Sequence, residues 1–342
     1  MSIFFTSPIG LGHATRDIAI AEQLKPTCRE ILFVSGAAAY ILISHNGYQT
    51  FNIYNPISFH IEAGRLHQRF RWLMKYISYY KECKNDAKNI LIKHDGLIVS
   101  DEDFASIAAG AEMNRNRVLI TDITETRFTR YLPSIVEREM NKKMRQMMYK
   151  CNHVIVPDYG DDKDNFVYVG PIVREVSADR NTLRKRFGFK RKTILLCIGG
   201  TNAGEYLIAK SIEAYKKLRK RMDIDLVVVP GPLVKLTDSA DYTNAGFVDN
   251  LHEYVYASDL VISLAGRSTI DESKVYGTPG IFIPIKNHFE QEESAKRLGY
   301  EFEDIFRIEN LIEEKLSLQN NEIANTNGVK KAADLILTML NR

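Results

Sequence analysis

The stretch from Asp259 to Leu298 constrains the fold of this chain more than any other. A short apolar, β-branched run is followed by a turn of small residues and a helical segment, and the same order then repeats. The pattern predicts, in order, a buried strand at 259–264, a turn at 265–269, a helix at 270–276, a strand at 280–285 and a helix at 290–298. Strands and helices that alternate in this way indicate a parallel sheet covered by helices on both faces.

The turn after the first of these strands has the features of an anion site. A glycine turn that opens a helix directs free backbone N–H groups and the positive end of the helix dipole toward one point, where phosphate is the commonest ligand. Arg267 adds a positive charge, and Glu272, one turn into the helix, is placed to bind the hydroxyls of a ribose. An ordinary connection with a solvated glutamate fits the same spacing, so both interpretations stay open.

These residues resemble the donor-binding signature of the MurG-like GT-B glycosyltransferases. In that family a glycine, a small residue, a threonine and a glutamate bind the diphosphate and the ribose, and a later Gln pair or Glu–Gln pair contacts the sugar. The matching residues here are Gly266, Ser268, Thr269, Glu272, Glu290 and Gln291. Arg267 stands where the family has a small residue and Glu290 where it often has glutamine, and these departures bear on the identity of the sugar.

The resemblance implies an α/β fold of the GT-B class, with two Rossmann-like, doubly wound parallel-sheet domains and an interdomain cleft. The length of 342 residues fits two domains. We place an N-terminal, acceptor- and membrane-facing domain at 1–168 and a C-terminal nucleotide-sugar-binding domain at 169–327, joined at the Gly170–Pro171 break. In this fold the last helix, here about 328–342, often returns to the first domain. Outside the opening stretch, the periodicity predicts helices at 37–45, 180–187 and 251–257.

The composition indicates a globular chain, with 45% hydrophobic and 26% charged residues. No apolar run reaches the ~18 residues of a membrane span, and the N-terminus lacks the basic segment of a signal peptide. The four cysteines lie far apart without metal-ligand spacing, so we expect reduced thiols in a cytoplasmic protein. The mild net charge of +3 and the lack of a recognisable module predict no nucleic-acid partner.

The N-terminus contains a second strand–glycine turn–helix pattern, with Gly10, Gly12 and His13 in the turn. The carboxyl end of a strand in an open α/β sheet is where ligands bind, and a helix N-terminus lowers the pKa of a histidine, so we expect a neutral His13 that acts as a base. His13 could instead only cap the turn. The run from Gly10 to Arg16 resembles the first glycine loop of MurG-like enzymes, which implies that Gly10, Gly12 and Arg16 bind substrate. It is also similar to the loop of PseG-type UDP-sugar hydrolases, in which the histidine activates water.

Asp101 ends a predicted strand at 96–101 and is a second candidate base. Its alternative role is to cap the following helix at 104–113, for which Asp103 is better placed. The acidic run 101–103 spells the Asp–x–Asp of metal-dependent transferases. Three consecutive acids are common and GT-B enzymes generally need no metal, so no metal site is predicted.

Two basic segments interrupt the alternation in the N-terminal half. Residues 65–93 contain eight Lys/Arg and two Asp/Glu, and residues 127–150 contain seven and two. Apolar residues at helical spacing predict one amphipathic helix in each segment. The apolar stripes are Leu66, Phe70, Leu73, Ile77 and Tyr80 in the first and Leu132, Val136, Met140, Met144 and Met147 in the second. Such helices can pack on a core or lie on an anionic membrane, and the resemblance implies membrane docking through this half.

A third glycine turn, formed by Gly199, Gly200, Thr201 and Asn202, separates a predicted strand at 193–198 from a helix at 205–220. Its amides can cradle phosphate, or the turn can be a plain connection. A strand is predicted at 244–248. The resemblance further implies that Phe247, Val248 and Leu251 contact the nucleobase through backbone groups.

Together these features predict a metal-independent hexosyltransferase that moves a sugar from a UDP-sugar, such as UDP-GlcNAc or a UDP-hexose, to a hydroxyl of a lipid-linked or other membrane-associated acceptor. His13, or else Asp101, would deprotonate that hydroxyl, and the glycine turns with Arg267 would stabilise the leaving diphosphate. No cofactor is predicted besides the donor substrate, and a peripheral position on the inner face of the cell membrane is expected. A UDP-sugar hydrolase, a UDP-sugar epimerase and a non-catalytic nucleotide-sugar-binding protein remain alternatives.

Overall fold

The computed structural model describes residues 1–129, 134–200, 202–237 and 239–340. The chain divides into two compact units. The first consists of Met1–Ser58, Gln68–Arg174 and Thr326–Arg342, and the second of Phe59–His67 and Glu175–Asn325. Each unit contains its own parallel sheet with helices, so the prediction of two Rossmann-like α/β sheets of the GT-B type is confirmed.

Strands and helices alternate along most of the chain. The strands are β1 (Ser2–Thr6), β2 (Ile31–Ser35), β3 (Gln49–Asn52), β4 (His60–Glu62), β5 (Arg65–His67), β6 (Leu97–Asp101), β7 (Arg117–Ile120), β8 (His153–Val156), β9 (Phe166–Tyr168), β10 (Lys192–Cys197), β11 (Ile224–Val229), β12 (Thr243–Asn244), β13 (Leu260–Leu264) and β14 (Gly280–Ile283). The helices are α1 (Gly12–Leu24), α2 (Ala37–His45), α3 (Arg69–Lys93), α4 (Phe104–Glu112), α5 (Ser134–Tyr149), α6 (Arg180–Phe187), α7 (Glu205–Leu218), α8 (Leu251–Ala257), α9 (Arg267–Tyr276), α10 (Phe289–Lys296), α11 (Ile308–Leu316) and α12 (Gly328–Leu340).

The sheet of the first unit runs in the order β3-β2-β1-β6-β7-β8-β9, with every neighbouring pair parallel. The central strands β1 and β6 are buried along their whole length, as expected for apolar strands covered on both faces. The strand order reverses between β1 and β6. Such a switch point is where open α/β sheets bind ligands, at the carboxyl ends of the strands.

The N-terminus of α4 is capped by the residue that precedes it. Asp103 accepts hydrogen bonds from the backbone N–H groups of Ala105 and Ser106, at 3.1 and 3.3 Å, and so caps α4 as expected. The Tyr54 hydroxyl donates to the same carboxylate at 2.8 Å. At the other end of the chain, α12 packs against α1 and belongs to the first unit.

The sheet of the second unit runs in the order β12-β11-β10-β13-β14, again with parallel neighbours. Its switch point lies between β10 and β13. The antiparallel hairpin β4–β5 also belongs to this unit. Its attachment is through backbone: Leu66 N–H donates to the Lys286 carbonyl at 2.9 Å, and Lys286 N–H donates to the Gly64 carbonyl at 3.0 Å.

Three local predictions are wrong. Leu66 lies in β5 instead of a helical stripe, because the left-handed turn at Ala63 and Gly64 starts a hairpin strand there. Phe247 and Val248 follow β12 and are not part of it, since the chain turns at Gly246 with φ +63°. Helix α9 begins at Arg267, three residues earlier than predicted.

The two basic segments form α3 and α5, and their stripes are partly core. Trp72 and Leu73 of α3 are buried, while Phe70 and Met74 are exposed by 43% and 46%. In α5, Met144 is buried and Val136 is exposed, whereas Leu132 lies outside the described residues. Among the helices that the structure describes, none combines the length and apolarity needed to span a bilayer.

Candidate active site

The switch point of the first unit brings His13, Arg16 and Asp101 together. The last residue of β1, Thr6, is the register partner of Asp101 at the end of β6. The chain then passes through Gly10, whose φ of +86° suits glycine, into α1. Because both strands end at the same edge of the sheet, residues 88 positions apart meet there.

The Asp101 carboxylate is hydrogen-bonded on both oxygens. Arg16 donates from Nε to Oδ2 at 2.7 Å and from Nη2 to Oδ1 at 2.5 Å. The Nδ1 atom of His13 lies 2.9 Å from Oδ1. The Asp101 side chain is fully buried and that of Arg16 nearly so. A two-pronged guanidinium–carboxylate pair of this kind is rigid, so it fixes Asp101 and, through Asp101, the imidazole ring.

The charges in this cluster decide its protonation. Burial opposes the ionisation of Asp101, but Arg16 and His13 outweigh it and lower the pKa of Asp101 to about 2. Burial would lower the pKa of His13, yet Asp101 and Glu102 outweigh it and raise that pKa to about 9. The expectation of a neutral His13 is therefore wrong, because the two carboxylates beside the ring favour its charged form. His13 is a cation at neutral pH.

Asp101 does not have the geometry of a base for an incoming hydroxyl. Its side chain is fully buried, and both oxygens already accept hydrogen bonds. The alternative role as a helix cap is also wrong, since Asp103 caps α4. The structure assigns Asp101 to orienting His13. Arg16 is bound to Asp101, and its contact with substrate stays a prediction.

Glu102 is a member of this cluster that sequence reasoning missed. Its Oε2 lies 3.7 Å from Nε2 of His13, on the opposite side of the ring from Asp101. Its Oε1 accepts from the Thr121 hydroxyl at 3.2 Å and the Asp122 backbone N–H at 3.4 Å. The acidic run after a strand end was the available signal. Within the described part of the chain, no group of three or more His, Cys, Asp or Glu side chains is arranged to hold a metal ion.

A second buried carboxyl, Asp17, lies next to this cluster. Its Oδ2 accepts from the Thr6 hydroxyl at 2.6 Å. Burial, with the nearby charge of Asp101, raises the pKa of Asp17 well above its ordinary value. This shift favours the protonated form of Asp17, and Asp101 is the carboxylate that pairs with Arg16.

The switch point of the second unit brings two glycine turns to one sheet edge. Strands β10 and β13 are parallel neighbours with Cys197 opposite Ser263, and each leads directly into its turn. Gly199 has φ +78°, and a Cβ on Gly199 or Gly266 would meet no atom within 4 Å. The space above both turns is therefore open to a ligand. Gly200 and Asn202 flank Thr201, which lies outside the described residues.

A cavity of about 320 Å³ lies beside the turn after β10. Its walls are formed by residues from the hairpin segment and from the start of α7: Phe59, Ile61, Ala63, Gly64, Asn202, Ala203, Glu205 and Tyr206. Its size is at the lower end of small-molecule sites, about 300–1,000 Å³.

Helix α9 presents the predicted donor residues in its first two turns. Ser268 and Thr269 lie in the first turn, and Glu272 follows with only 3% of its surface exposed. Arg267 donates from Nε to Oδ2 of Asp271 at 2.9 Å, one turn along the helix. This ion pair holds the guanidinium beside the N-terminus of α9.

The remaining predicted donor residues lie in connections of the second unit. Glu290 and Gln291 are in the first turn of α10, and the Gln291 side-chain oxygen accepts from the Ile285 backbone N–H at 3.0 Å. That bond fixes the segment after β14. Phe247 and Val248 lie in the loop before α8, which begins at Leu251.

Residues 194–336 match the model of the glycosyltransferase family 28 C-terminal domain. The two parallel-sheet units have the fold of GT-B glycosyltransferases. Together with this match, the relatives below support a glycosyltransferase of the MurG-like GT-B type.

The relatives support this assignment over different parts of the chain. A UDP-N-acetylglucosamine–N-acetylmuramyl-(pentapeptide) pyrophosphoryl-undecaprenol N-acetylglucosamine transferase of Desulforamulus reducens is 29% identical over 187 residues, which is 49% of each chain. An uncharacterized glycosyltransferase of Methanopyrus kandleri is 25% identical over 227 residues, covering 62% of this chain and 64% of its own. An uncharacterized glycosyltransferase of Methanosarcina mazei is 24% identical over 319 residues, covering 84% and 80%. The chain thus spans about half the length of the first of these relatives.

Solved structures share the fold over the whole chain. The glycotransferase of kitacinnamycin superposes with a TM-score of 0.64 at 14% identity, covering 99% of both chains. The MurG of Acinetobacter baumannii superposes with a TM-score of 0.55 at 13% identity, also covering 99% of both. At these identities the likeness concerns the fold alone.

Proposed function

We propose that the protein is a hexosyltransferase that moves a sugar from a UDP-sugar to a hydroxyl of a lipid-linked or other membrane-associated acceptor. The observation that carries this proposal is the pair of open glycine turns at one edge of the second sheet, inside the matched family 28 domain. Two neighbouring turns, each followed by a helix, offer converging N–H groups to a diphosphate.

The residues around α9 complete the proposed donor site. Arg267 adds a positive charge beside the turn, and Glu272 would accept hydrogen bonds from the ribose hydroxyls. Backbone N–H groups and Arg267 would stabilise the leaving diphosphate, so we propose that no metal ion or other cofactor takes part. The choice of UDP rests on the relatives whose names specify UDP-N-acetylglucosamine.

The first unit is the proposed acceptor side. Phe70 and Met74 are exposed on α3 among Arg69, Arg71 and Lys75. Apolar side chains flanked by basic ones suit the surface of an anionic membrane. We therefore propose a peripheral location on the inner face of the cell membrane, with the acceptor hydroxyl delivered to His13.

Incubation of the purified protein with UDP-sugars tests this proposal. UDP release that depends on an added polyprenyl-diphosphate-linked saccharide, with the sugar recovered on that saccharide, is the expected result. Stoichiometric free sugar without acceptor would establish the hydrolase alternative, and inversion of the sugar without UDP release the epimerase alternative. Binding of UDP-sugar without either reaction would leave a non-catalytic binding protein.

A further inference from the structure

The imidazole of His13 lies between two carboxylates that are consecutive in sequence. Asp101 Oδ1 is 2.9 Å from Nδ1, and Glu102 Oε2 is 3.7 Å from Nε2. Consecutive residues of a regular strand point to opposite faces. Here Glu102 adopts a φ of +53°, and this break in the strand geometry lets both side chains reach one ring.

The backbone of Glu102 is strained, and its surroundings hold it in place. A left-handed conformation is unfavourable for a non-glycine residue. The Glu102 N–H donates to the Ile120 carbonyl at 3.1 Å, and Oε1 accepts from the end of β7 at Thr121 and Asp122. Strain that persists in this way is concentrated at functional sites. The fixed Oε1 leaves Oε2 as the oxygen on the His13 side.

Several ionisable groups surround His13, and their burial and contacts determine which one can accept a proton. On α1 they are Arg16 and Asp17, whose pKa is raised by burial, on β6 Asp101, and just after β7 Asp122, which acts on Arg16. Asp101 is fully buried with both oxygens bonded. His13 already carries a proton on each ring nitrogen at neutral pH, because Asp101 and Glu102 together favour the cation.

We propose that Glu102 is the general base of the transfer reaction and that His13 stays protonated throughout. The acceptor hydroxyl would donate its hydrogen to Glu102 Oε2 and accept a hydrogen bond from His13 Nε2–H. Atoms 3.7 Å apart can both lie within about 2.8 Å of one bound oxygen. The proposal rests on the proposed function, since it assigns the proton of that reaction.

The acceptor O–H bond breaks and its proton moves to Glu102 Oε2, while the oxygen electron pair forms a bond to the anomeric carbon of the donor. The bond from that carbon to the diphosphate oxygen breaks, and the diphosphate leaves with the electron pair. His13 orients the hydroxyl oxygen and makes its proton more acidic. Glu102 returns the proton to water after the product leaves.

The pH dependence of the reaction separates Glu102 from His13 as the base. With Glu102 as the base, kcat/KM is flat around neutrality and falls as the pH rises through about 9, where His13 loses its proton. With His13 as the base, kcat/KM would instead rise with pH up to about 9, which would overturn the proposal. The measurement uses the full-length protein and the transfer assay described above.

Glu102→Gln is the direct test, because it removes the base and keeps the shape. Loss of about 10²–10⁴ in kcat with little change in the donor KM is expected. Glu102→Gly tolerates the positive φ and should fold normally, and added formate should restore part of its activity. Glu112→Gln, which removes an exposed carboxylate elsewhere in the unit, should leave kcat unchanged. Full activity of Glu102→Gln, or faster reaction at pH 7, would overturn the proposal.

NMR titration of the His13 ring tests the same pair without any substrate. The His13 ring of the wild-type protein should show a pKa near 9. Glu102→Gln should lower that pKa by about 0.7 or more, because the attraction of a charge about 4 Å away is lost. A pKa near 6.5 that Glu102→Gln leaves unchanged would contradict the proposal. A protein that transfers no sugar but shows the expected titration would refute the proposed function and not the His13–Glu102 contact.

Discussion

Replacing Arg16 by methionine tests how the buried cluster of the first unit is held together. The substitution keeps much of the side-chain volume but leaves Asp101 buried and without its guanidinium. The pKa of Asp101 is lowered from 3.8 to about 2, which corresponds to roughly 2 kcal/mol of stabilisation at neutral pH. Desolvation opposes that shift, so the attraction itself is larger. We expect Arg16→Met to reduce the free energy of unfolding of the first unit by about 3–5 kcal/mol, the usual effect of removing one partner of a buried ion pair.

Urea denaturation followed by circular dichroism at several pH values measures the free energy of unfolding. In the wild type, the stabilisation from ionised Asp101 is present above pH 3.8 and is lost as the pH falls toward 2. In the variant we expect burial to raise the pKa of Asp101, with only His13 left to oppose that effect, so that protonation relieves part of the destabilisation. The difference in the free energy of unfolding between the wild type and the variant should therefore become smaller as the pH falls from about 7 to 4.

A matched surface pair supplies the control. Arg219 donates to Asp241 at 2.7 Å, but both side chains are more than a third exposed. Arg219→Met should reduce the free energy of unfolding much less than Arg16→Met, because water screens exposed pairs. If Arg16→Met loses as little stability as this control, or if its loss of stability does not depend on pH, Arg16 is not the residue that fixes Asp101.

Three further predictions concern the donor site and the membrane. Glu272→Ala should weaken UDP binding by about 1–3 kcal/mol, the loss of charge-assisted hydrogen bonds, and unchanged affinity in calorimetry would remove Glu272 from the site. Gly231→Ala should displace the turn after β10 and weaken UDP binding, because the new Cβ would lie 2.1 Å from the Gly199 carbonyl oxygen; a variant that binds UDP normally would show that the turn does not hold the diphosphate. Phe70→Ser combined with Met74→Ser should weaken binding to anionic vesicles by about tenfold or more, since burying either side chain is worth about 1.5–3 kcal/mol. Ile323→Ser, which changes an exposed apolar residue of the second unit, should leave vesicle binding unchanged. If the wild type, the double variant and this control all bind vesicles equally, α3 does not contact the membrane.

Most of the architecture could be predicted from the sequence, because the signals that define helices and strands lie within each segment. Helices α2, α6 and α8 have the predicted bounds, since hydrophobic periodicity and the flanking residues define them. The hairpin β4–β5 was not predicted, because the contacts that define it are not local. Its strands have three residues each, too few to show a period, and they are held by backbone bonds to Lys286, more than 200 positions away.

The candidate site of the first unit was only partly predictable. The glycine turn and the strand-end position pointed to His13 and Asp101 because ligands bind at the carboxyl ends of parallel strands. The protonation of His13 was not predictable, since it depends on distances to two carboxylates that only the fold brings near the ring. Glu102 was passed over because nothing in a run of three acids shows that the middle residue adopts a positive φ.

Hydrogen–deuterium exchange with and without UDP tests the central claim most directly, since it reports on the backbone N–H groups that are proposed to bind the diphosphate. The account predicts that UDP slows exchange at the two glycine turns, residues 199–204 and 265–266, and at the start of α9, while the glycine loop of the first unit changes less. Slower exchange elsewhere, with both turns of the second unit unaffected by saturating UDP, would contradict it.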